Sequence, residues 1–185
     1  SFSKIILTKI MQKTITPIDN TIYIEREYHS AKIEQTIENS TKAHKEWANL
    51  NVKDRVKLLK NFVEDFLSRG DVIGEELSRQ MGRPISQAAG ELNGFKERAE
   101  YMLKIAEKKL ANIDVTGNNN FKSYIKRRSL GIVFVIAPWN YPYLVAVNSI
   151  IPAMAAGNTV ILKHSAQTPL CAEQLYQSAK KTLPK

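Results

Sequence analysis

The sequence contains a single cysteine, Cys171, among its 185 residues. One cysteine excludes an internal disulfide framework and is typical of a protein from the reducing cytosol, so we predict a cytoplasmic location. The sequence also lacks the roughly 18 uninterrupted apolar residues of a membrane-spanning helix. The nearest run, residues 143–157, is interrupted by Asn148, Ser149 and Pro152. We therefore predict no membrane partner.

Glycine and proline are scarce, at 8 and 7 copies, and 43% of the residues are hydrophobic. This composition excludes a collagen-like fibre and a disordered chain, and it is typical of a globular protein. A chain of 185 residues is long enough for one large domain or for one and a half.

Charge is scarce in the last third of the chain. The net charge is +9, but residues 129–185 hold only 4 Lys/Arg and 1 Asp/Glu, whereas residues 1–128 hold 23 and 17. The last third is therefore predicted to be buried. A basic protein can bind nucleic acid. Here the longest basic run is only Lys126-Arg127-Arg128, with no interleaved aromatic residues and no metal-ligand spacing. Solvated helix surfaces explain the charge better, and we predict neither a nucleic-acid partner nor a metal site.

The first two thirds read as a hairpin followed by four amphipathic helices. Residues 12–28 carry β-branched residues around the turn at Pro17, which predicts the hairpin. The first helix is predicted to have Ser30 as its N-cap and to end near Leu50, and the second to have Asn51 as its N-cap and to end at Gly70. A third helix is predicted from Asp71 to Gly82. Pro84 is predicted to lie in the first turn of a long fourth helix.

The last third reads as strand, helix, strand, helix. Residues 131–136 predict a buried strand, an apolar helix follows with a kink or break at Pro152, and residues 159–163 predict a second strand. Strands so connected pair in parallel. We expect an α/β fold divided into an extension (1–11), a hairpin and helices (12–116), a loop with an exposed strand (117–128) and part of a doubly wound sheet (129–185). Because two strands leave an open apolar edge, we expect the chain to be truncated.

Polar residues follow both predicted strands. Asn140 comes shortly after the first strand, and Lys163 ends the second. Ligands of parallel sheets gather at the carboxyl ends of the strands. An amide donor and a cation at adjacent strand ends predict a site for an anionic cofactor and a developing oxyanion.

The motifs at residues 137–142 (Ala-Pro-Trp-Asn-Tyr-Pro) and 155–160 (Ala-Ala-Gly-Asn-Thr-Val), followed by Lys163, resemble those of the aldehyde dehydrogenase superfamily. Residues 16–19, the helical run ending at Trp47, and residues 81–91 resemble that family's N-terminal region. The resemblance covers residues 12–185. It implies a Rossmann-like fold and NAD(P)-dependent oxidation of an aldehyde to a carboxylic acid, through attack by a cysteine thiolate and release of the acid by a glutamate-activated water.

The resemblance implies roles for individual residues. Asn140 matches the asparagine that donates to the oxyanion, and Lys163 matches the lysine that bonds the adenosine ribose. The other residues implied to line the cofactor site are Ile136, Ala137, Pro138, Trp139, Ser165 and Ala166. Other interpretations are open: an asparagine after a strand often forms a turn or helix cap, a strand-end lysine can simply reach solvent, and the remaining residues can serve packing alone.

Two departures from the family pattern bear on cofactor and substrate. Ala166 stands where many NAD-preferring members carry a glutamate, so we expect NADP to be tolerated or preferred over NAD. His164 replaces the more usual proline, and the Lys163-His164 pair resembles one branch of succinate-semialdehyde dehydrogenases. That pair is a weak indication of substrate.

The family's catalytic cysteine and glutamate have no counterpart in this sequence. Cys171 lies in an apolar helix without an adjacent base, and we predict an inert buried thiol. We therefore expect an N-terminal fragment that is inactive alone. The intact enzyme would take a small aldehyde and form a homo-oligomer, and a complementary C-terminal polypeptide could complete it. The alternative is a non-catalytic interaction module derived from the same fold.

Overall fold

The computed structural model describes residues 9–117 and 121–184. The chain begins with an antiparallel hairpin of β1 (Lys9–Ile15) and β2 (Ile22–His29). Its turn is closed by the Asn20 amide, which donates to the Thr16 carbonyl over 3.0 Å, and Asn20 takes a positive φ of 61°. The predicted hairpin is confirmed, although β1 begins at Lys9, inside the predicted extension.

Four helices follow the hairpin, in the order predicted. They are α1 (Ser30–Asn49), α2 (Val52–Leu67), α3 (Gly70–Met81) and α4 (Ile85–Leu110). Asn51 caps α2 as predicted, because its side chain accepts from the Asp54 amide. Gly82 ends α3 with a positive φ of 74°, a conformation that glycine adopts without steric cost.

Three predicted helix boundaries are wrong in detail. Ser30 is the first residue of α1 rather than its N-cap; His29 holds the cap position, and no side chain caps the helix. Gly70 begins α3 instead of ending α2, since α2 already ends at Leu67. Pro84 precedes α4 with an extended ψ of 131°, so it lies just outside the first turn.

A short ladder joins the helices to the last third of the chain. It consists of β3 (Ile113–Asp114) paired antiparallel with β4 (Tyr124–Ile125). The exposed strand predicted within residues 117–128 is therefore reduced to the two residues of β4. Asn118–Asn120, predicted to form a loop, lie outside the described residues.

The predicted crossover is confirmed. It comprises β5 (Ile132–Ile136), α5 (Pro142–Ala155), β6 (Thr159–Lys163) and α6 (Pro169–Thr182), and β5 pairs in parallel with β6. Of the kink or break predicted at Pro152, the break does not occur, since α5 continues to Ala155. Gly157 ends the connection with a φ of 93°.

The core is mostly helical. The rings of Phe66 in α2 and Phe95 in α4 are centred 4.6 Å apart, and Tyr143 in α5 lies 5.0 Å from Phe66. Leu59, Ile73 and Leu77 are fully buried beside them. The apolar stripes of the N-terminal helices thus pack against the crossover helices α5 and α6. The hydrophobic core lies between these two sets of helices.

The β5–β6 ribbon is less buried than its sequence predicts. In β5 only Val135 is buried, while the neighbouring Phe134 and Ile136 are 60% and 68% exposed. Because side chains alternate between the faces of a strand, one face of β5 packs on the protein and the other faces solvent. The prediction of a buried strand is wrong because helices of the described chain cover a single face.

Helix α5 is held at both ends by charged side chains from the helical layer. At its C-terminus, Arg55 donates from Nε to the Ala155 carbonyl over 2.9 Å and from Nη1 to the Leu50 carbonyl. At its N-terminus, Glu91 accepts from the amides of Tyr143 and Leu144 over 2.8 and 3.2 Å. A carboxylate at the N-terminus and a guanidinium at the C-terminus both complement the helix dipole.

Residues 9–117 and 121–184 contain neither a candidate membrane span nor a candidate metal-binding cluster. None of the helices there combines the length and the apolar character that crossing a bilayer requires. The same residues contain no group of three or more His, Cys, Asp or Glu side chains placed to hold a metal ion.

Candidate functional site

The carboxyl ends of β5 and β6 form one edge. Ile136 lies opposite Lys163 in the parallel register, and the Ala137 amide donates to the Lys163 carbonyl over 3.1 Å. The segments that follow the two strands, residues 137–141 and 164–168, therefore leave the ribbon side by side. Sequence reasoning predicted this edge as the site, and the strand pairing places the predicted residues along it.

Asn140 is exposed in the segment between β5 and α5. Its Oδ1 accepts from the Tyr141 amide over 3.0 Å, and its main-chain carbonyl accepts from Nη2 of Arg83 over 2.5 Å. Because Oδ1 already accepts a bond, the amide orientation is set and Nδ2 remains as the donor. Nδ2 bonds no acceptor within the described residues. The side chain thus presents two N–H donors to the solvent side of the edge.

The residues before Asn140 divide between core and surface. Ala137 is only 3% exposed and belongs to the hydrophobic core, so its main-chain atoms, rather than its side chain, are available to a cofactor. Its amide is also occupied by Lys163, which leaves its carbonyl. Ile136, Pro138 and Trp139 are exposed at the edge and offer apolar surface.

Lys163 and His164 point into different environments. Lys163 is exposed at the last position of β6, whereas His164 is buried and neither ring nitrogen has a hydrogen-bond partner among the described residues. Burial, with a smaller contribution from the neighbouring Lys163 charge, lowers the pKa of His164 to about 4. His164 is therefore a neutral core residue near pH 7, and Lys163 is the only cation of the segment 163–168.

The loop after β6 is held by the hairpin. The Ala166 carbonyl accepts from Nε2 of Gln12 over 2.7 Å and from Oγ1 of Thr14 over 2.8 Å. Ser165 accepts from the Gln167 amide through Oγ over 3.2 Å, which leaves its hydroxyl hydrogen to donate. Sequence reasoning missed Gln12 and Thr14. Their partners lie more than 150 residues away, so no local pattern could have revealed them.

Cys171 cannot act as the nucleophile of this edge. Its side chain is fully buried in α6, and burial raises the pKa of the thiol to about 12. A thiol needs to ionise to attack a carbonyl. The prediction of a buried thiol is confirmed.

The residues at the edge fit an anionic dinucleotide. Lys163 supplies an exposed cation, Ser165 a free hydroxyl donor, and residues 163–168 contain no acidic side chain. The exposed surfaces of Ile136 and Trp139 offer apolar contact beside these polar groups. Such a mixture of apolar lining and a few polar groups is typical of cofactor sites.

The family model described as Aldehyde dehydrogenase family matches residues 8–185. The chain belongs to the aldehyde dehydrogenase family. D-glyceraldehyde dehydrogenase (NADP(+)) of Picrophilus torridus is 31% identical over 144 residues, which are 77% of this chain and 29% of that protein. A protein of Sinorhizobium fredii named "Probable succinate-semialdehyde dehydrogenase (NADP(+))" is 27% identical over 151 residues, 82% of this chain and 31% of that protein.

The fold of this aldehyde dehydrogenase chain matches solved members of the family. An aldehyde dehydrogenase from Brucella melitensis biovar abortus 2308 superimposes with a TM-score of 0.86 at 26% identity, covering 94% of this chain and 36% of that chain. The predicted family and the α/β fold class are therefore confirmed. The chain spans about 30% of the length of the curated relatives it matches.

We predict that His164 makes the stability of the chain depend on pH. The unfolded state takes up a proton near pH 6.5, whereas the folded state does so only near pH 4. Between these values the unfolded state binds more protons, so the free energy of unfolding should fall as the pH falls, by up to about 3 kcal/mol. Urea unfolding at pH 7 and pH 4.5 measures this loss.

The control separates His164 from the carboxylates that titrate in the same range. His164→Leu should lose less stability than the wild type between pH 7 and pH 4.5, because leucine has no group that takes up a proton in that range. An equal loss in wild type and His164→Leu would show that His164 is not the group responsible.

Proposed function

We propose that this chain forms part of an NAD(P)-dependent aldehyde dehydrogenase that converts an aldehyde to a carboxylic acid. The observation that carries the proposal is the register of β5 and β6. Because Ile136 pairs with Lys163, the Asn140 segment and the Lys163 cation lie along one edge. The motif resemblance and the family membership support the same assignment.

Asn140 serves as the oxyanion donor in this proposal. An aldehyde oxygen becomes negative when a thiolate attacks the carbonyl carbon, and a fixed amide donor stabilises that charge more than it stabilises the neutral aldehyde. The Oδ1 bond to the Tyr141 amide keeps Nδ2 outward for this purpose. Loss of one such donor typically lowers kcat by about 10²- to 10³-fold.

Lys163 and Ser165 hold the cofactor ribose in this proposal. An ammonium group at the edge can donate to ribose hydroxyls, and the Ser165 hydroxyl offers a second donor. When bound, NAD(P) supplies the oxidised nicotinamide that accepts a hydride. Ile136, Pro138 and Trp139 contribute apolar contact, and Ala137 contributes main-chain atoms only.

The thiol nucleophile and the deacylating carboxylate are not assigned to any residue of this chain. Cys171 is excluded by its burial and raised pKa. We propose that both groups come from protein outside these 185 residues, and that this chain is an N-terminal portion of the enzyme. The comparisons do not support a separate complementary polypeptide.

We further propose a semialdehyde substrate and a cytoplasmic homo-oligomer for the intact protein. The Lys163-His164 pair and the similarity to a relative named for succinate semialdehyde support the substrate. The single reduced cysteine supports the compartment. The family resemblance supports the oligomer.

We expect the purified 185-residue chain to form no NADPH or NADH from aldehydes, because it lacks an ionisable nucleophile at the edge. Absorbance at the reduced-cofactor band, with succinate semialdehyde and D-glyceraldehyde as substrates, measures this directly. Turnover that Asn140→Ala abolishes would overturn the expectation, whereas turnover that survives Asn140→Ala would indicate a contaminating enzyme.

We expect Ala166 to favour NADP over NAD, since no carboxylate at that position repels a 2′-phosphate. Introducing one by Ala166→Glu should weaken NADPH binding by about 1 kcal/mol, roughly fivefold in Kd, for two charges about 4 Å apart in water. NADH binding should hardly change. Fluorescence titration with each dinucleotide measures the ratio.

The matched control for this change is Ala31→Glu, which adds the same charge to an exposed alanine of α1. It should leave the NADPH to NADH ratio at the wild-type value. If Ala166→Glu also leaves that ratio unchanged, Ala166 does not lie beside the 2′-position and the proposed cofactor preference is wrong.

A further inference from the structure

A buried ion pair contacts the Asn140 segment. Arg83, in the turn between α3 and α4, pairs through Nη1 with Oε2 of Glu91 in α4. The side chains of Arg83 and Glu91 are 8% and 0% exposed. Burying two charges is costly unless each is also hydrogen-bonded, so such a pair needs further partners.

Glu91 finds its further partners at the start of α5. Its second oxygen, Oε1, accepts from the amides of Tyr143 and Leu144 over 2.8 and 3.2 Å. These N–H groups belong to the first turn of α5, where no intrahelical acceptor exists and where Tyr141 provides no side-chain cap. A residue more than 50 positions away thus performs the capping.

Arg83 finds its further partners in the two residues before α5. Its Nη2 donates to the main-chain carbonyl of Asn140 over 2.5 Å, and its guanidinium lies 4.6 Å from the centre of the Tyr141 ring. The ion pair therefore bonds the Asn140 carbonyl and the first turn of α5, which follows Asn140 closely in the chain.

We propose that Arg83 and Glu91 are positioning residues for Asn140. Glu91 bonds the first turn of α5, and Arg83 bonds the Asn140 carbonyl. Because Arg83 and Glu91 also pair with each other, the two contacts hold a fixed relative position. The inference rests on the proposed function in so far as Asn140 is the oxyanion donor. Neither residue needs to touch substrate, because a donor gains its effect only when its support holds it within about 0.5 Å of the productive place.

Two conservative variants separate the two contacts. Arg83→Lys keeps the positive charge beside Glu91 but loses the fork that reaches Asn140, and Glu91→Gln keeps an Oε1 acceptor but loses the charge. Arg79→Lys is the matched control, since it makes the same change in an exposed pair of α3 with Glu75. The measurements are the Asn140 carbonyl ¹³C shift and amide hydrogen exchange of the labelled 185-residue chain.

In Arg83→Lys the Asn140 carbonyl shift should change while Tyr143 and Leu144 keep their wild-type exchange rates. In Glu91→Gln the exchange of these two amides should rise roughly tenfold, because a neutral acceptor makes weaker bonds than a carboxylate. In Arg79→Lys all three signals should stay at wild-type values. A purely structural pair would instead change protection uniformly across the helical core.

The proposal is overturned if Arg83→Lys and Glu91→Gln both match Arg79→Lys, or if both lower protection evenly at all core amides. If Glu91→Gln does not fold, the Asn140 carbonyl ¹³C shift of Arg83→Lys alone tests the proposal. The proposed function fails separately, if the wild-type chain with this pair intact shows no NADPH binding. That result leaves the exchange data on Arg83 and Glu91 unaffected.

Discussion

Helix α5 depends on two charged contacts, and the rest of the structure depends on α5. It connects β5 to β6, packs Tyr143 against Phe66, and begins directly after the Asn140 segment. Its ends are bonded by Glu91 and Arg55, both from the N-terminal helices. Hydrogen bonds to charged groups contribute about 1.5–3 kcal/mol each, so these contacts fix α5 more firmly than packing alone.

This arrangement explains why a helical layer precedes a two-stranded crossover. Two parallel strands cannot bury an apolar helix by themselves. The N-terminal helices supply the missing apolar surface, and they also supply Trp47, which donates to the Met154 carbonyl over 2.8 Å near the end of α5. The hairpin adds a third support, since Gln12 and Thr14 hold the Ala166 carbonyl. Each of the two segments at the strand ends is thus bonded by an element distant in sequence.

Local sequence patterns predicted the elements and the edge. The helix ends at Asn51 and Gly82, the parallel crossover and the burial of Cys171 all follow from residues within a few positions of one another. Local patterns could not predict the partners of Asn140 and Ala166. Arg83 bonds Asn140, Glu91 bonds the first turn of α5, and Gln12 and Thr14 bond Ala166, across about 50 to 150 residues. An isolated arginine in a turn, or a glutamate on an amphipathic helix, looks like solvated surface. The prediction of a buried strand failed at Phe134 for the same reason, because the burial of a strand depends on what covers each of its faces.

The central claim is that the ends of β5 and β6 bind the cofactor, and Lys163 tests it most directly. NADPH fluorescence titration should show saturable binding to the wild-type chain and a Kd raised roughly tenfold or more in Lys163→Met, since a charged hydrogen bond is lost. Lys180→Met, at an exposed lysine of α6, should match the wild type. Equal NADPH affinity in all three proteins would contradict the account.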